Sequence, residues 1–189
     1  MFNSPKVMKK SLMKKILTAL SLAFLSGMVS AAKPLPPDAT FDVGFSPRRG
    51  ALEVVTKGIK SAKESILVAS YSFTSKPIAT ALLAAHKRGI KVRVVTDAKG
   101  DSSKYTAARF LANRGVPVRF NDRYAIHHNK FMVIDGRHVE TGSFNFSAAA
   151  ADKNAENVLL LWNVKPLAEQ YTAEWQRLWN EGVDMKPAY

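Results

Sequence analysis

The sequence contains no cysteine, which excludes disulfides, zinc–thiolate sites and cysteine nucleophiles at once. A chain of this kind, exported or not, owes its stability to its core. Acids are also scarce: 15 Asp and Glu stand against 28 Lys and Arg, giving a formal charge of +13. A field of that sign gathers polyanions, whether nucleic acid or an anionic lipid surface, without choosing between them. Long apolar runs are missing too. The run from Ile16 to Val29 is short against the roughly 20 residues a spanning helix needs. No internal repeat or low-complexity segment stands out.

What is present begins with that run. It follows Lys6, Lys9, Lys10, Lys14 and Lys15 and precedes Ser30, Ala31 and Ala32, the charge, core and small-residue order of a secretory signal peptide. Cleavage is expected after Ala31 or Ala32, and the protein is expected in the periplasm or outside the cell. Removing residues 1–31 takes away five lysines and no acid, leaving +8, so the attraction for polyanions survives processing. Residues 32–40, with Pro34, Pro36 and Pro37, read as an extended linker. Residues 41–189 are then one globular domain, since a chain of 189 residues with 47% hydrophobic content fills one core and leaves little for a second.

Within that domain, strand and helix patterns alternate. Strands are predicted at 41–45, 65–71, 90–96 and 116–120, and helices at 50–63, 76–87 and 103–113, the last two closed by Gly89 and Gly115. Beyond Asn121 the pattern changes. The segments 130–134 and 137–141 flank Asp135-Gly136, a hairpin signal. A further strand at 158–162 precedes a helix that starts at Pro166 and repeats Leu167, Tyr171, Trp175 and Leu178 at helical spacing. The sum is an α/β domain with a mixed, largely parallel β-sheet flanked by helices on both faces.

Chemistry concentrates in His127-His128-Asn129-Lys130 and, after the hairpin, Gly142-Ser143-Phe144-Asn145. On extended backbone, residues two apart share a side, so His128 and Lys130 pair a titratable nucleophile with a fixed cation. Ser143 and Asn145 repeat that spacing beside the permissive backbone of Gly142. Such a group surrounds a phosphate. A neutral imidazole attacks phosphorus while Lys130, Asn145 and Ser143 stabilise charge on the nonbridging oxygens, so no metal or other cofactor is required. The leaving alkoxide still needs a proton, and one chain offers no second histidine of this kind.

His128-x-Lys130-x-x-x-x-Asp135 followed by Gly142-Ser143-x-Asn145 resembles the His-Lys-Asp signature of the phospholipase D superfamily, and most resembles its small bacterial endonucleases with one signature per chain. The resemblance runs from about Phe41 to the C-terminus, making 41–189 a phospholipase D-like catalytic domain. It implies a homodimer in which two symmetry-related histidines face each other. His128 of one subunit is then the nucleophile and His128 of the other the acid, later the activator of water. Lys130, Ser143 and Asn145 would bind phosphate, and Glu156 matches a carboxylate that orients the imidazole. Asp135 belongs to the signature, but its alternation opposes His128 and Lys130, which assigns it a structural role.

Other residues carry blander readings. His86 and His138 read as surface or packed side chains, and His127, on the opposite side from His128, as structural or substrate-proximal. Trp162, Trp175 and Trp179 read as core. Arg48, Arg49, Lys99, Lys104, Arg109, Arg114, Arg119 and Arg123 are candidates for a groove along a sugar-phosphate backbone. The reading is thus an exported, metal-independent phosphodiesterase acting on DNA and perhaps RNA. Two alternatives are a phospholipase acting on anionic lipid and a non-catalytic nucleic-acid-binding module.

Overall fold

The computed structural model describes residues 32–100 and 106–187. The expected signal peptide, residues 1–31, and Lys104 lie outside them. After a non-regular lead-in, the elements alternate: β1 (Thr40–Phe45), α1 (Ala51–Ser61), β2 (Ser65–Ser70), α2 (Lys76–Lys87), β3 (Lys91–Asp97), α3 (Ala107–Ala112) and β4 (Val118–Asn121). The hairpin β5 (Phe131–Ile134) and β6 (His138–Gly142) follows, then α4 (Ala148–Asp152), β7 (Asn157–Trp162), α5 (Lys165–Glu181) and β8 (Val183–Asp184).

All eight strands form one sheet in the order β1-β7-β6-β5-β2-β3-β4-β8. Its mixed character matches the sequence reading, but the parallel part is smaller than expected. Only β2–β3 and β3–β4 pair in parallel; the other neighbours are antiparallel. The reason lies in the connections. Helical crossovers α2 and α3 deliver parallel neighbours, whereas the tight β5–β6 turn forces reversal, and β5 then inserts beside β2 rather than beyond β4. The reverse turn at 134–137 has φ of +53° at Asp135 and +61° at Gly136, left-handed values at both central residues. It closes by Arg137 N–H donating to the Ile134 carbonyl at 3.1 Å.

Alternation along the strands divides the core. Ile66, Val68, Val92, Val94, Met132, Ile134 and Leu160 meet Val55 and Ile59 of α1, Ile78 and Leu82 of α2, and Leu111 of α3. Ala69, Val95, Phe131, Val133 and Val139 meet Ala168, Trp175 and Leu178 of α5 on the other face. Trp175 Nε1–H also donates to the Val68 carbonyl at 2.9 Å, locking α5 to the sheet centre. Trp175 stacks on Trp179, and Trp162 donates to Asp42, so the tryptophans serve packing. His138 likewise accepts from the Asn163 N–H at 2.9 Å and meets the Trp162 ring edge-on.

Two carboxylates at opposite extremes of this scaffold set its response to pH. Asp135 lies in the hairpin turn rather than on the strand, and its oxygens accept from the N–H groups of Lys63, Glu64 and Ser65 at 2.8–3.2 Å. Burial would raise its pKa, but those donors outweigh burial and hold it below the usual range. Its stabilisation is therefore present above the unfolded carboxyl pKa and lost as pH falls through the lower folded value. Asp135→Ala is expected to lower the unfolding free energy by about 1–3 kcal/mol, read by urea denaturation at neutral pH.

Glu140, 1% exposed in the centre of β6, faces the α1–α3 side between Met132 and Leu160. Burial pushes its carboxyl from 4.5 to about 8. Between those values the unfolded chain has released this proton while the folded chain keeps it, so the Glu140 contribution falls with rising pH and levels off above about 8. Melting temperature should fall across this window, and Glu140→Gln should flatten the decline. An unchanged slope in the variant would contradict a neutral buried acid.

Candidate active site

The functional side chains gather at one end of the sheet, where β2, β3 and β6 finish and β5 and β7 begin. Strand ends of this kind carry backbone that is no longer committed to the ladder and can face a ligand. Because β5 starts at Phe131, His128 and Lys130 lie on the segment leading into it, not inside the strand. They nonetheless converge on one neighbour. The His128 ring, exposed, sits 4.7 Å from the Tyr71 ring centroid at an interplanar angle of 57°. Lys130 Nζ lies 5.4 Å from the same centroid.

Lys130 is only 7% exposed, and its ammonium donates to the backbone carbonyl of His128 at 2.8 Å. The cation is thereby fixed against the residue expected to attack. Burial lowers its pKa, and the charge of Glu156 opposes that shift, which also sets Glu156 within electrostatic reach. Ser143 Oγ–H donates to Glu156 Oε2 at 2.5 Å, and Asn154 Nδ2 donates to Oε1 at 3.0 Å. Ser143 Oγ in turn accepts from the Asn157 N–H at 3.1 Å. Within one chain, therefore, Glu156 is engaged by Ser143 and Asn154 rather than by His128. The buried Oδ1 of Asn145 has no hydrogen-bond partner among the described residues. Gly142 has a steric reason to be glycine: a Cβ there would stand 2.2 Å from the Asn157 carbonyl oxygen, so a side chain would separate β6 from β7 where Ser143 is held.

His127 points away from His128, as alternation requires. Its ring is buried, neither ring nitrogen finds a partner among the described residues, and burial lowers its pKa against the opposing charges of Asp97 and Glu174. Burial thus favours its neutral form. The basic residues do not form one groove. Arg48, Arg49, Lys99 and Arg123 stand in loops at the site end. Arg119 pairs with Asp184 at 2.7 Å, and Arg109 and Arg114 lie over Phe120 and Phe110. Among the described residues no group of three or more His, Asp or Glu side chains is arranged to hold a metal ion, and no helix is long and apolar enough to cross a membrane.

Sequence reasoning passed over two residues of this neighbourhood, Tyr71 and Asp97. Asp97-Ala98-Lys99-Gly100 carries a turn signature after a β-branched strand, which marks a loop but not its destination. Tyr71 follows β2 and carries no local signal at all.

Comparison with known proteins shows the family. Residues 55–179 match the family described as "Cardiolipin synthase, PLD-like domain", and the chain belongs to the phospholipase D superfamily of phosphodiesterases. It is 37% identical over 131 residues to a phospholipase D of Rickettsia felis, covering 69% of this chain and 65% of that protein. It is 34% identical over 120 residues to the mitochondrial cardiolipin hydrolase of Xenopus tropicalis, covering 64% and 57%. The chain thus spans 57–65% of the length of these curated relatives. Among solved structures, Nuc of Salmonella typhimurium, a phospholipase D family member, is 42% identical with a TM-score of 0.77, over 79% of this chain and 99% of Nuc. NucT of Helicobacter pylori is 26% identical with a TM-score of 0.70, over 78% and 100%.

Lys130 occupies a socket shaped for a compact ammonium that bonds a carbonyl. Arg, with its planar fork, does not fit that role. Both Lys130→Arg and Lys130→Met are expected to reduce phosphodiester turnover by about 10²-fold or more, measured as initial rates on bis(p-nitrophenyl) phosphate. A wild-type rate in Lys130→Arg would show that charge alone suffices.

Proposed function

We propose that the protein is an exported, metal-independent endonuclease that cleaves DNA, and RNA as well, through a phosphohistidine at His128 in a site shared by two copies of the chain. The observation that carries this reading is the pairing of an exposed imidazole with a buried ammonium held on the same residue's carbonyl. That pair is suited to an anionic diester, because the cation is in place before the substrate arrives.

In the first step a ring nitrogen of His128 forms a bond to phosphorus as the bond to the leaving oxygen breaks. That oxygen takes a proton from the imidazolium of the second copy. In the second step a water gives a proton to that imidazole, and its oxygen displaces His128 from phosphorus. Lys130, Ser143 and Asn145 stabilise the nonbridging oxygens throughout. The chain supplies one such histidine, so the scheme needs a partner, and the surface beside the site supports one. Phe41, Val43 and Phe45 alternate along edge strand β1 at 66%, 49% and 45% exposure. Phe45 pairs with Asn157, adjacent to Glu156. A second copy covering this apolar stripe would lie next to the site and would cover an otherwise open strand edge. The charge, +8 after loss of residues 1–31, and the site-end Arg48, Arg49, Lys99 and Arg123 favour a polyanionic substrate, with low sequence preference because phosphate contacts do not read bases.

A second reading, hydrolysis of anionic phospholipid, is favoured by the names of the curated relatives, phospholipase D and cardiolipin hydrolase. One comparison separates the two. Purified full-length protein and His128→Asn, each checked for dimer mass, are incubated in excess EDTA with plasmid, with RNA and with cardiolipin liposomes. The proposal expects wild-type cleavage of nucleic acid, loss in the variant, and a bell-shaped pH dependence, since one histidine must be neutral while its partner is protonated. Release from liposomes alone would establish the lipid reading, and activity only after metal addition would overturn the metal-free one.

A further inference from the structure

We infer that Asp97 is a positioning residue for His128, acting through the backbone of the preceding residue and through the Tyr71 ring; this rests on the reading of His128 as nucleophile. Asp97 ends β3, is 1% exposed, and directs its two oxygens to different structures. Oδ1 accepts from the N–H of Lys99 at 2.8 Å and of Gly100 at 2.6 Å, closing its own loop. Oδ2 accepts from the N–H of His127 at 2.6 Å. That second bond reaches across thirty residues to the peptide next to the nucleophile.

The first set of bonds reaches His128 by another route. Gly100 is pressed against the Tyr71 backbone so closely that a Cβ on it would stand 2.3 Å from the Tyr71 carbonyl oxygen. The Tyr71 ring is the neighbour against which the His128 ring rests at 4.7 Å and beside which Lys130 Nζ lies. Lys99 adds a third link, its Nζ donating to the Ala125 carbonyl at 3.1 Å. The loop after β3 thus brackets the 125–128 segment from one side and the Tyr71 wall from the other, and a single carboxylate joins the two grips. Such a bracket has a chemical purpose. Residues 127–130 lie ahead of β5 and receive no ladder hydrogen bonds, so an exposed imidazole there needs orientation from elsewhere. Displacement of a reacting group by about 1 Å costs on the order of 10²-fold in rate.

Asp97→Asn is the informative change. The amide keeps one acceptor oxygen but turns an NH₂ donor toward one of its former partners, so either the loop or the His127 N–H loses its acceptor. On bis(p-nitrophenyl) phosphate the full-length variant is expected to lose about 10- to 100-fold in kcat with KM within about twofold. The Cε1–H resonance of His128, assigned by its disappearance in His128→Asn, should move because the imidazole has changed its relation to the Tyr71 ring. A variant with lowered melting temperature but unchanged kcat and an unmoved resonance would overturn the inference, leaving Asp97 as a loop cap. If Asp97→Asn does not fold, Tyr71→Leu decides. Reduced kcat with KM within about twofold supports the bracket, and a wild-type kcat refutes it. Absence of turnover in the wild type would count against the proposed function and not against the bracket, which the resonance then tests alone.

Discussion

A nearly buried ammonium bonded to the carbonyl of the residue two positions before it is the constraint around which this end of the molecule is arranged. Burying a charge is costly unless hydrogen bonds and counter-charge offset it. Lys130 obtains both, from the His128 carbonyl and from Glu156, with the Tyr71 face alongside. Burial nonetheless lowers its pKa, with Glu156 opposing. An incoming phosphate would supply the missing negative charge. On the proposed reading, substrate binding and charge stabilisation would then be the same event.

The scaffold that keeps this arrangement fixed is built from long-range contacts, and that explains which parts were legible in the sequence. The helix at Lys76–Lys87 appeared with its bounds because a Ser75 cap, Pro77 and Gly89 are local signals. The β5–β6 turn appeared because Asp-Gly meets a local demand for positive φ. His128, Lys130, Ser143 and Asn145 stood out through fixed spacing and Glu156 through the family resemblance, and the fold brings Ser143 and Glu156 into direct contact while Lys130 folds back on His128. Spacing could not show that the Glu156 carboxylate is occupied by Ser143 and Asn154 within the chain. Nor could it show that β5 starts one residue after Lys130. Short elements such as α4 and β8 escaped because helices and strands of a few residues exist only by virtue of what they dock against.

The same distinction governs charge. A total of +13 is a property of composition, but the fold decides which cations are available. Arg177 is bound by Glu174 and Glu181 and touches Tyr124, and Arg119 is bound by Asp184. These groups tie α5 and β8 to the rest of the domain. The loops at the site end leave Arg48 at 82% side-chain exposure, with only a distant partner in Asp152 at 3.8 Å. Sequence placed Arg48 and Arg119 in one class of groove candidates. Structure separates those that fasten elements from those able to meet a polyanion.

The two faces of the sheet are finished differently, and that difference bears on the proposed pairing of two copies. One face is covered by α1, α2 and α3, and the other by α5 alone, which packs on β2, β3, β5 and β6. Beyond α5, the outer strand β1 presents Phe41, Val43 and Phe45, residues whose exposure costs roughly what burying a core side chain gains. Under the proposed function, a second copy would cover all three together. Their strand runs toward Ser46, whose N–H donates to the Glu156 carbonyl at 3.0 Å, so the uncovered apolar surface and the carboxylate of the site are mechanically joined. Covering the stripe with a second copy would order the same loop that carries Glu156. Association and completion of the chemistry would then be one step rather than two.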